Sequence, residues 1–104
     1  MADARGGGGA AMRLDRFLWH ARFATTRSAA QVIACERRLR IDGRTIDRAA
    51  APVRVGNILT FAQGQRVRVI RIEALPTRRG PPAEARGCYQ DLMVENGSQQ
   101  APGD

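Results

Sequence analysis

The sequence predicts an α+β fold in which two packed N-terminal helices lie against a small, mostly antiparallel β-sheet. Two changes of pattern predict it. Apolar residues recur at helical spacing from Leu14 and again after Thr26, whereas from Leu39 onward apolar and charged residues alternate with a period of two. The chain has 104 residues, which is the size of one small domain. This length excludes a large multidomain enzyme.

The two helices are predicted from apolar stripes and from one capping residue. The first stripe has the spacing i, i+3, i+4, i+7 and consists of Leu14, Phe17, Leu18 and Ala21. Thr25-Thr26 offers an N-cap for a second helix running from Arg27 to about Arg37. The inward residues of that helix are predicted to be Ala30, Ile33 and Ala34, with Cys35 also in the core. The short connection requires the helices to pack as a pair.

The first predicted hairpin follows the second helix directly. Leu39 and Ile41 share one face of a strand, and they alternate with the charged residues Arg38, Arg40 and Asp42. Asp42-Gly43 is a tight-turn sequence, and Thr45-Ile46 is the predicted return strand.

A second hairpin is predicted from Ile58–Ala62 and Arg66–Glu73, joined by a turn at Gln63-Gly64-Gln65. In its return strand, Val67 and Val69 point to one face of the sheet, and Ile70 and Ile72 point to the other. One face of a regular strand cannot bury both pairs, so we predict a bulge or a strong twist near Val69-Ile70.

Composition divides the chain into four parts. Residues 1–11 form a glycine-rich leader and residues 95–104 a polar tail, and both are predicted to be disordered. Residues 12–75 form the predicted domain, and residues 76–94 form a C-terminal segment that can pack on it. The longest apolar run has four residues, so we expect no membrane association and a cytoplasmic location.

The charge of the chain favours a polyanionic partner. Seventeen arginines and no lysines oppose ten acidic residues, giving a net charge of +7, and most of the arginines fall within the predicted domain. Guanidinium groups bind phosphates bidentately and stack on bases. If the helices and the first strand lie side by side, one stripe forms from Arg13, Arg16, Arg27, Ser28, Arg37, Arg38, Arg40 and Arg44. The alternative is a solvated face that reflects an arginine-rich composition.

Three further residues have structural and functional interpretations. Asp15 is predicted to cap the first helix or pair with an arginine, and Trp19 to pack beneath the C-terminal segment rather than stack on a base. His20 can contact phosphate when it is protonated. Because no second histidine or paired carboxylate stands at ligand spacing, we expect no catalytic site, no metal site and no cofactor.

Several short motifs carry a family resemblance. They are Arg13–Trp19, Ala21–Phe23, Thr26–Ser28, Leu39–Gly43 and Val55–Ile58. Together they resemble the S4 RNA-binding domain. The start from Leu14 to Phe23, with Arg78-Arg79, Pro82–Ala85 and Tyr89 downstream, most resembles the ribosome-associated heat-shock protein 15 family.

This resemblance implies an S4-type (α-L) fold and a non-enzymatic role in the stress response. The implied partners are ribosomal RNA, the large ribosomal subunit and peptidyl-tRNA, in the recycling of stalled subunits. We expect the free protein to be a monomer. The residues that the resemblance implies on or near the RNA face are Arg13, Arg16, Arg27, Ser28, Arg38, Arg40 and Arg44.

The sequence departs from the family at the end of the second helix. Glu36-Arg37 stand where the family has a glycine, and a long basic C-terminal extension is missing. Two other functions fit part of the pattern. One is a helix-turn-helix protein that binds DNA, because an arginine begins the second helix. The other is an accessory RNA-binding subunit of an RNA-modifying enzyme.

Overall fold

The computed structural model describes residues 10–36 and 38–92. Of the predicted leader only Ala10 and Ala11 are described. The rest of the leader, Arg37, the last two residues of the C-terminal segment and the whole predicted tail lie outside the described residues. In the described part, no helix is both long enough and apolar enough to cross a membrane.

The described chain has the predicted α+β architecture, with three helices and seven strands. The helices are α1 (Leu14–His20), α2 (Arg27–Cys35) and α3 (Pro82–Arg86). The first four strands are β1 (Met12–Arg13), β2 (Leu39–Ile41), β3 (Arg44–Ile46) and β4 (Pro52–Val53). The last three are β5 (Ile58–Gln63), β6 (Arg66–Ile72) and β7 (Tyr89–Asp91).

Five strands form one antiparallel sheet in the order β3-β2-β5-β6-β7, and β1 pairs with β4 in a separate short ladder. The β1–β4 ladder was not predicted. It ties the start of α1 to the segment after β3, because the backbone N–H of Leu14 donates to the carbonyl of Ala51 at 2.8 Å. The short ladder therefore brings the N-terminus of α1 close to the first hairpin.

The core lies between the helices and one face of the sheet. Leu14, Phe17 and Leu18 of α1 are completely buried, as predicted from their spacing. They belong to the same apolar cluster as the inward residues of the sheet, which are Leu39, Leu59, Phe61, Ile70 and Ile72.

The second helix begins where the sequence predicts it and ends earlier. The hydroxyl of Thr26 accepts a hydrogen bond from the backbone N–H of Ala29 at 3.0 Å, which confirms the N-cap. Ala30 and Ala34 are buried. The helix stops at Cys35, whose side chain is exposed, so the prediction of a core cysteine was wrong. The buried stripe consists of residues four apart, and position 35 falls beside that stripe.

The first hairpin turn has the backbone that its sequence predicts. Asp42 and Gly43 both have positive φ angles, 52° and 86°, as expected for a turn whose twist matches that of the strands.

The predicted bulge in the second hairpin is absent from the described strands. β5 and β6 pair in one continuous register from Ile58–Arg71 to Gln63–Arg66. The prediction assumed that all four apolar residues had to be buried. Ile70 and Ile72 face the core, whereas Val67 stays 57% exposed on the other face, so a regular strand is sufficient.

The C-terminal segment packs on the domain through three kinds of contact. β7 extends the sheet beside β6, and the ring of Tyr89 lies 4.5 Å from that of Phe23. The Nη1 atom of Arg79 donates to the carbonyls of Trp19 (2.6 Å) and Ala24 (3.1 Å), and its guanidinium lies over the Trp19 ring. Arg79 therefore joins the C-terminal segment to the carbonyl of Trp19 in the last turn of α1 and to that of Ala24 in the α1–α2 connection.

The connection between α1 and α2 contains one strained residue. Arg22 has a φ of 67°, which is unfavourable for a residue with a side chain. Its Nε atom donates to the carbonyl of Gly80 at 2.6 Å, so the C-terminal segment also holds this turn.

Candidate nucleic-acid interface

A buried carboxylate organises the arginines at the start of α1 and α2. Asp15 is fully buried in the first turn of α1. Its Oδ1 accepts a hydrogen bond from Nε of Arg13 at 3.0 Å, and its Oδ2 lies 3.6 Å from Nη2 of Arg27. It also accepts hydrogen bonds from the backbone N–H of Arg16 and from the amide of Gln31. Pairing with an arginine, one of the two predicted roles of Asp15, is therefore confirmed.

The surroundings of Asp15 keep it ionised. Burial alone raises the pKa of this carboxyl, but the hydrogen bonds from Arg13 and Gln31 and the charge of Arg13 outweigh burial and lower the pKa below its usual value. The carboxylate therefore stays negative at neutral pH beneath two guanidinium groups whose side chains are 48% and 40% exposed. These arginines are held in place while part of each remains open to a ligand.

Arg16 and Ser28 occupy the surface around this cluster. Both side chains are exposed, Arg16 on α1 and Ser28 in the first turn of α2. The charges of Arg16 and Arg27 both act on His20, whose pKa is lowered chiefly by burial and further by these cations. The lowered pKa favours the neutral form of His20 at neutral pH, and Nδ1 of this largely buried side chain lies 3.4 Å from the carbonyl oxygen of Pro76.

A second group of arginines adjoins the first. Arg13 and Arg16 line a shallow depression together with Pro52, and Pro52 also lines a groove of about 410 Å³ beside the β2–β3 hairpin. Arg44 lies on this groove, as do Arg48 and Arg54. The six arginines of these two regions form what we call the basic surface: Arg13, Arg16, Arg27, Arg44, Arg48 and Arg54.

Sequence reasoning missed Arg48 and Arg54. Both lie in the connector around Pro52, where no periodic pattern fixes the direction of a side chain. The β1–β4 ladder places this connector next to α1, and that pairing joins strands only two residues long. The signal available in the sequence was the arginine on each side of Pro52.

Arg38 and Arg40 lie elsewhere. Arg40 pairs with Thr60, between Leu39 and Ile41, which face the core, so Arg40 points away from the helices. Together with Arg38 it lines a depression of about 310 Å³ on the outer face of the sheet. This outer sheet face consists of Arg38, Arg40, Thr60, Ala62 and Val67.

The predicted site residues are therefore divided between two faces. Five of them lie on or beside the basic surface: Arg13, Arg16, Arg27, Ser28 and Arg44. Two of them, Arg38 and Arg40, lie on the outer sheet face. Arg37 is outside the described residues. Among residues 10–36 and 38–92, no group of three or more His, Cys, Asp or Glu side chains is placed to hold a metal ion.

Comparisons with known proteins support the predicted fold. The family model of the S4 domain matches residues 12–59, which contain both main helices and the first hairpin. Heat shock protein 15 homolog of Haemophilus influenzae is 34% identical over 80 residues, covering 77% of this chain and 60% of the relative. Heat shock protein 15 of Escherichia coli K12 is 30% identical over the same share of this chain and 59% of its own length.

One solved structure is similar over nearly the whole chain. It is described as the trimeric structure of Vibrio cholerae heat shock protein 15, and it aligns with a TM-score of 0.77 and 27% identity over 88% of this chain and 97% of that one. The present chain spans about 60% of the length of the curated relatives that it matches. The chain therefore has an S4-type α+β fold, with the S4 domain match over residues 12–59, and it is similar to the heat shock protein 15 proteins.

Proposed function

We propose that this protein binds ribosomal RNA of the large subunit, without catalysis, and takes part in recycling stalled subunits that carry peptidyl-tRNA. The observation that carries the proposal is the basic surface, in which six arginines from α1, α2 and the hairpin region adjoin one another. Arginine clusters of this kind neutralise the phosphates of a nucleic acid backbone.

The acidic residues next to the basic surface offset only part of its charge, because Asp15 and Asp42 stand against six arginines. Asp15 lies beneath the surface and is buried. Asp42 lies on the groove, but its two carboxylate oxygens accept hydrogen bonds from the side chain of Asn57 and the backbone of Ile58, both at 2.8 Å. The guanidinium groups of Arg44, Arg48 and Arg54 have no ion pair within the described residues. Their charges are available to phosphate.

The match of residues 12–59 to the S4 domain supports RNA as the polyanion. Similarity to heat shock protein 15 supports the ribosomal and stress-related part of the proposal. We further propose that the protein acts in the cytoplasm and is a monomer when free. The Vibrio cholerae relative is described as trimeric, so light scattering across a concentration series tests this last point, and a trimer at micromolar concentration contradicts it.

Sedimentation of a cell lysate through a sucrose gradient tests the partner. We expect the protein to migrate with isolated large subunits. The double variant Arg16→Gln/Arg44→Gln removes two exposed charges of the basic surface and is expected to shift the protein to the top of the gradient. Arg66→Gln/Arg86→Gln removes the same charge from exposed positions outside both faces and is the matched control. Migration of wild-type protein with free proteins at low salt contradicts the proposal.

A competition experiment separates RNA binding from DNA binding. A helix-turn-helix protein reads DNA with its second helix in the major groove, whereas here arginines outside the helices, Arg44, Arg48 and Arg54, also belong to the basic surface. Structured ribosomal RNA is therefore expected to displace duplex DNA of equal length. Preferential retention of the DNA favours the helix-turn-helix function. Recovery of an RNA-modifying enzyme as a stoichiometric partner of the full chain favours the accessory-subunit function.

A further inference from the structure

The groove beside the β2–β3 hairpin has features that phosphate binding alone does not require. Four of the residues that line it are apolar: Ile41, Ile46, Ala51 and Pro52. Ile41 and Ile46 are only half-buried, although they are on the core face of the hairpin. The hairpin thus presents an apolar surface that its own fold does not cover. We refer to it as the hairpin groove.

Three arginines line the same groove as these apolar residues. Arg44 pairs directly with Ile41 across the hairpin, so their side chains project from the same face. Arg48 and Arg54 line the groove from the connector on either side of Pro52. A groove lined by both apolar side chains and guanidinium groups matches a ligand that has one flat apolar part and one anionic part.

One wall of the groove is already built in the free protein. The side chain of Asn57 accepts a hydrogen bond from the backbone N–H of Arg54 at 2.7 Å and donates one to Asp42. Asp42 also accepts the backbone N–H of Ile58, so the turn after β4 is fastened to the turn of the hairpin. A preformed wall lowers the ordering cost of binding a ligand.

We propose that the hairpin groove holds one unpaired nucleotide of the RNA bound by the basic surface, with its base on the apolar residues and its phosphates on Arg48 and Arg54. The proposal rests on the proposed function and adds the substrate class. The volume of about 410 Å³ lies within the range of about 300–1,000 Å³ typical of small-ligand sites. RNA recognition commonly uses bases that are splayed out of a helix in loops and bulges.

Continuity with the basic surface favours RNA as the occupant over a separate ligand. Pro52 belongs both to the groove and to the depression of Arg13 and Arg16. A ribose–phosphate chain that crosses these arginines therefore reaches the groove without leaving the protein surface. The groove is lined by three arginines and one carboxylate, that of Asp42, so its net charge is positive, as binding of a phosphodiester requires.

Three short RNA duplexes test the proposal by fluorescence anisotropy with the full chain. The first is blunt and fully paired, the second carries one bulged adenosine, and the third carries an abasic ribose at the bulge. We expect the wild-type protein to bind the adenosine bulge about tenfold more tightly than the other two, because withdrawing one face of a nucleobase from water against apolar side chains contributes about this much. The abasic duplex separates recognition of the base from flexibility of the backbone.

Two double variants that each lose two positive charges test whether the preference for the bulged adenosine depends on the hairpin groove. Arg48→Gln/Arg54→Gln is expected to bind the three duplexes equally, and Arg66→Gln/Arg86→Gln is expected to keep the tenfold preference. All four arginines are exposed, so both proteins should have wild-type melting temperatures.

The outcomes that overturn the proposal differ from failure of RNA binding itself. Equal binding of all three duplexes by the wild type overturns the nucleotide site and leaves the proposed function intact. A preference that persists in Arg48→Gln/Arg54→Gln also overturns it. Binding of an oligoglutamate peptide that requires Arg48 and Arg54, without a bulge preference, assigns the groove to an acidic protein segment. Absence of binding to any RNA overturns the proposed function as well.

Discussion

Asp15 is completely buried, yet its Oδ1 atom accepts a hydrogen bond of 3.0 Å from Nε of the half-exposed Arg13. A second bond of 3.2 Å joins Nη2 of Arg13 to Oδ2, so the contact is bidentate. Geometry of this kind gives stronger ion pairs than single surface contacts. The ion pair therefore holds the guanidinium group of Arg13 in place at the point where β1 joins α1.

Replacing Asp15 with asparagine should destabilise the fold at neutral pH. The variant keeps the shape of the side chain but loses the charged acceptor, which we expect to cost about 1–3 kcal/mol in the free energy of unfolding. Urea denaturation at pH 7 measures this loss. Asp47→Asn, which changes an exposed carboxylate in the β3–β4 connector, is the control and should be close to wild type.

The difference between wild type and Asp15→Asn should shrink in acid. A carboxyl whose pKa is lower in the folded chain than in the unfolded chain binds fewer protons when folded. Its stabilisation is complete above the unfolded pKa of about 3.9 and is lost as the pH falls through the folded pKa. Urea titrations from pH 7 downward should therefore converge below about pH 4. A difference that stays constant to pH 2.5 contradicts the role of the charge.

His20 should titrate below its ordinary range. Burial lowers its pKa, the carbonyl of Pro76 opposes this, and the charges of Arg16, Arg27 and Arg79 lower it further. His20 is the only histidine of the chain, so its imidazole resonances can be followed without assignment. A pKa at or above about 6.5 in the folded protein contradicts the prediction.

The same shift makes stability depend on pH in the mildly acidic range. A histidine with a lowered pKa in the folded state is protonated first in the unfolded chain. The free energy of unfolding should therefore fall as the pH decreases from about 6.5 toward the folded pKa. His20→Gln should lose this part of the pH dependence, which urea titrations between pH 7.5 and pH 5 measure.

Two adjacent arginines should differ in their effect on stability. Arg79 bonds the carbonyls of Trp19 and Ala24, and its replacement by methionine leaves both without this donor. We expect a loss of about 1–3 kcal/mol in urea denaturation. Arg78→Met removes an exposed ion pair with Glu84 and should cost less than about 1 kcal/mol. Equal losses would show that Arg79 does not hold the C-terminal segment.

The sequence predicts the parts of the fold that depend on local patterns. Thr26 caps α2, and the stripe from Leu14 to Leu18 is buried, because both follow from spacing along one helix. The Asp42-Gly43 turn is equally local. Packing decides the rest. Whether Val67 had to be buried depended on the second layer of the sheet, which covers one face only.

The sequence indicates which type of residue makes up the candidate site, but it indicates less well on which face of the fold each arginine lies. The spacing along the chain correctly groups Arg13 and Arg16, but it also places Arg40 beside them. A strand directs successive side chains to opposite faces, and which face meets the helices is fixed by the burial of Leu39 and Ile41. Placing Arg48 beside Arg13 and Arg16 required knowledge of the β1–β4 ladder, which pairs Met12 with Val53 and Arg13 with Pro52, far apart in the sequence.

The two arginine faces should be separable with RNAs of different size. A short rigid duplex cannot contact opposite faces of the sheet at once, so Arg38→Gln/Arg40→Gln should leave its binding unchanged, whereas Arg16→Gln/Arg44→Gln should weaken it. On a larger folded fragment of ribosomal RNA we expect both variants to bind more weakly. Equal loss on the short duplex contradicts the division into two faces. Gel shifts with both RNAs provide the comparison.

The salt dependence of binding to a structured ribosomal RNA fragment tests most directly whether the basic surface binds phosphates. With about six phosphates neutralised, the plot of log affinity against log salt concentration should have a slope of about −4 to −5. Arg16→Gln/Arg44→Gln should make the slope less negative by about 1.5, and Arg66→Gln/Arg86→Gln should not change it. A wild-type slope near zero, or the same slope in all three proteins, contradicts the proposed interface.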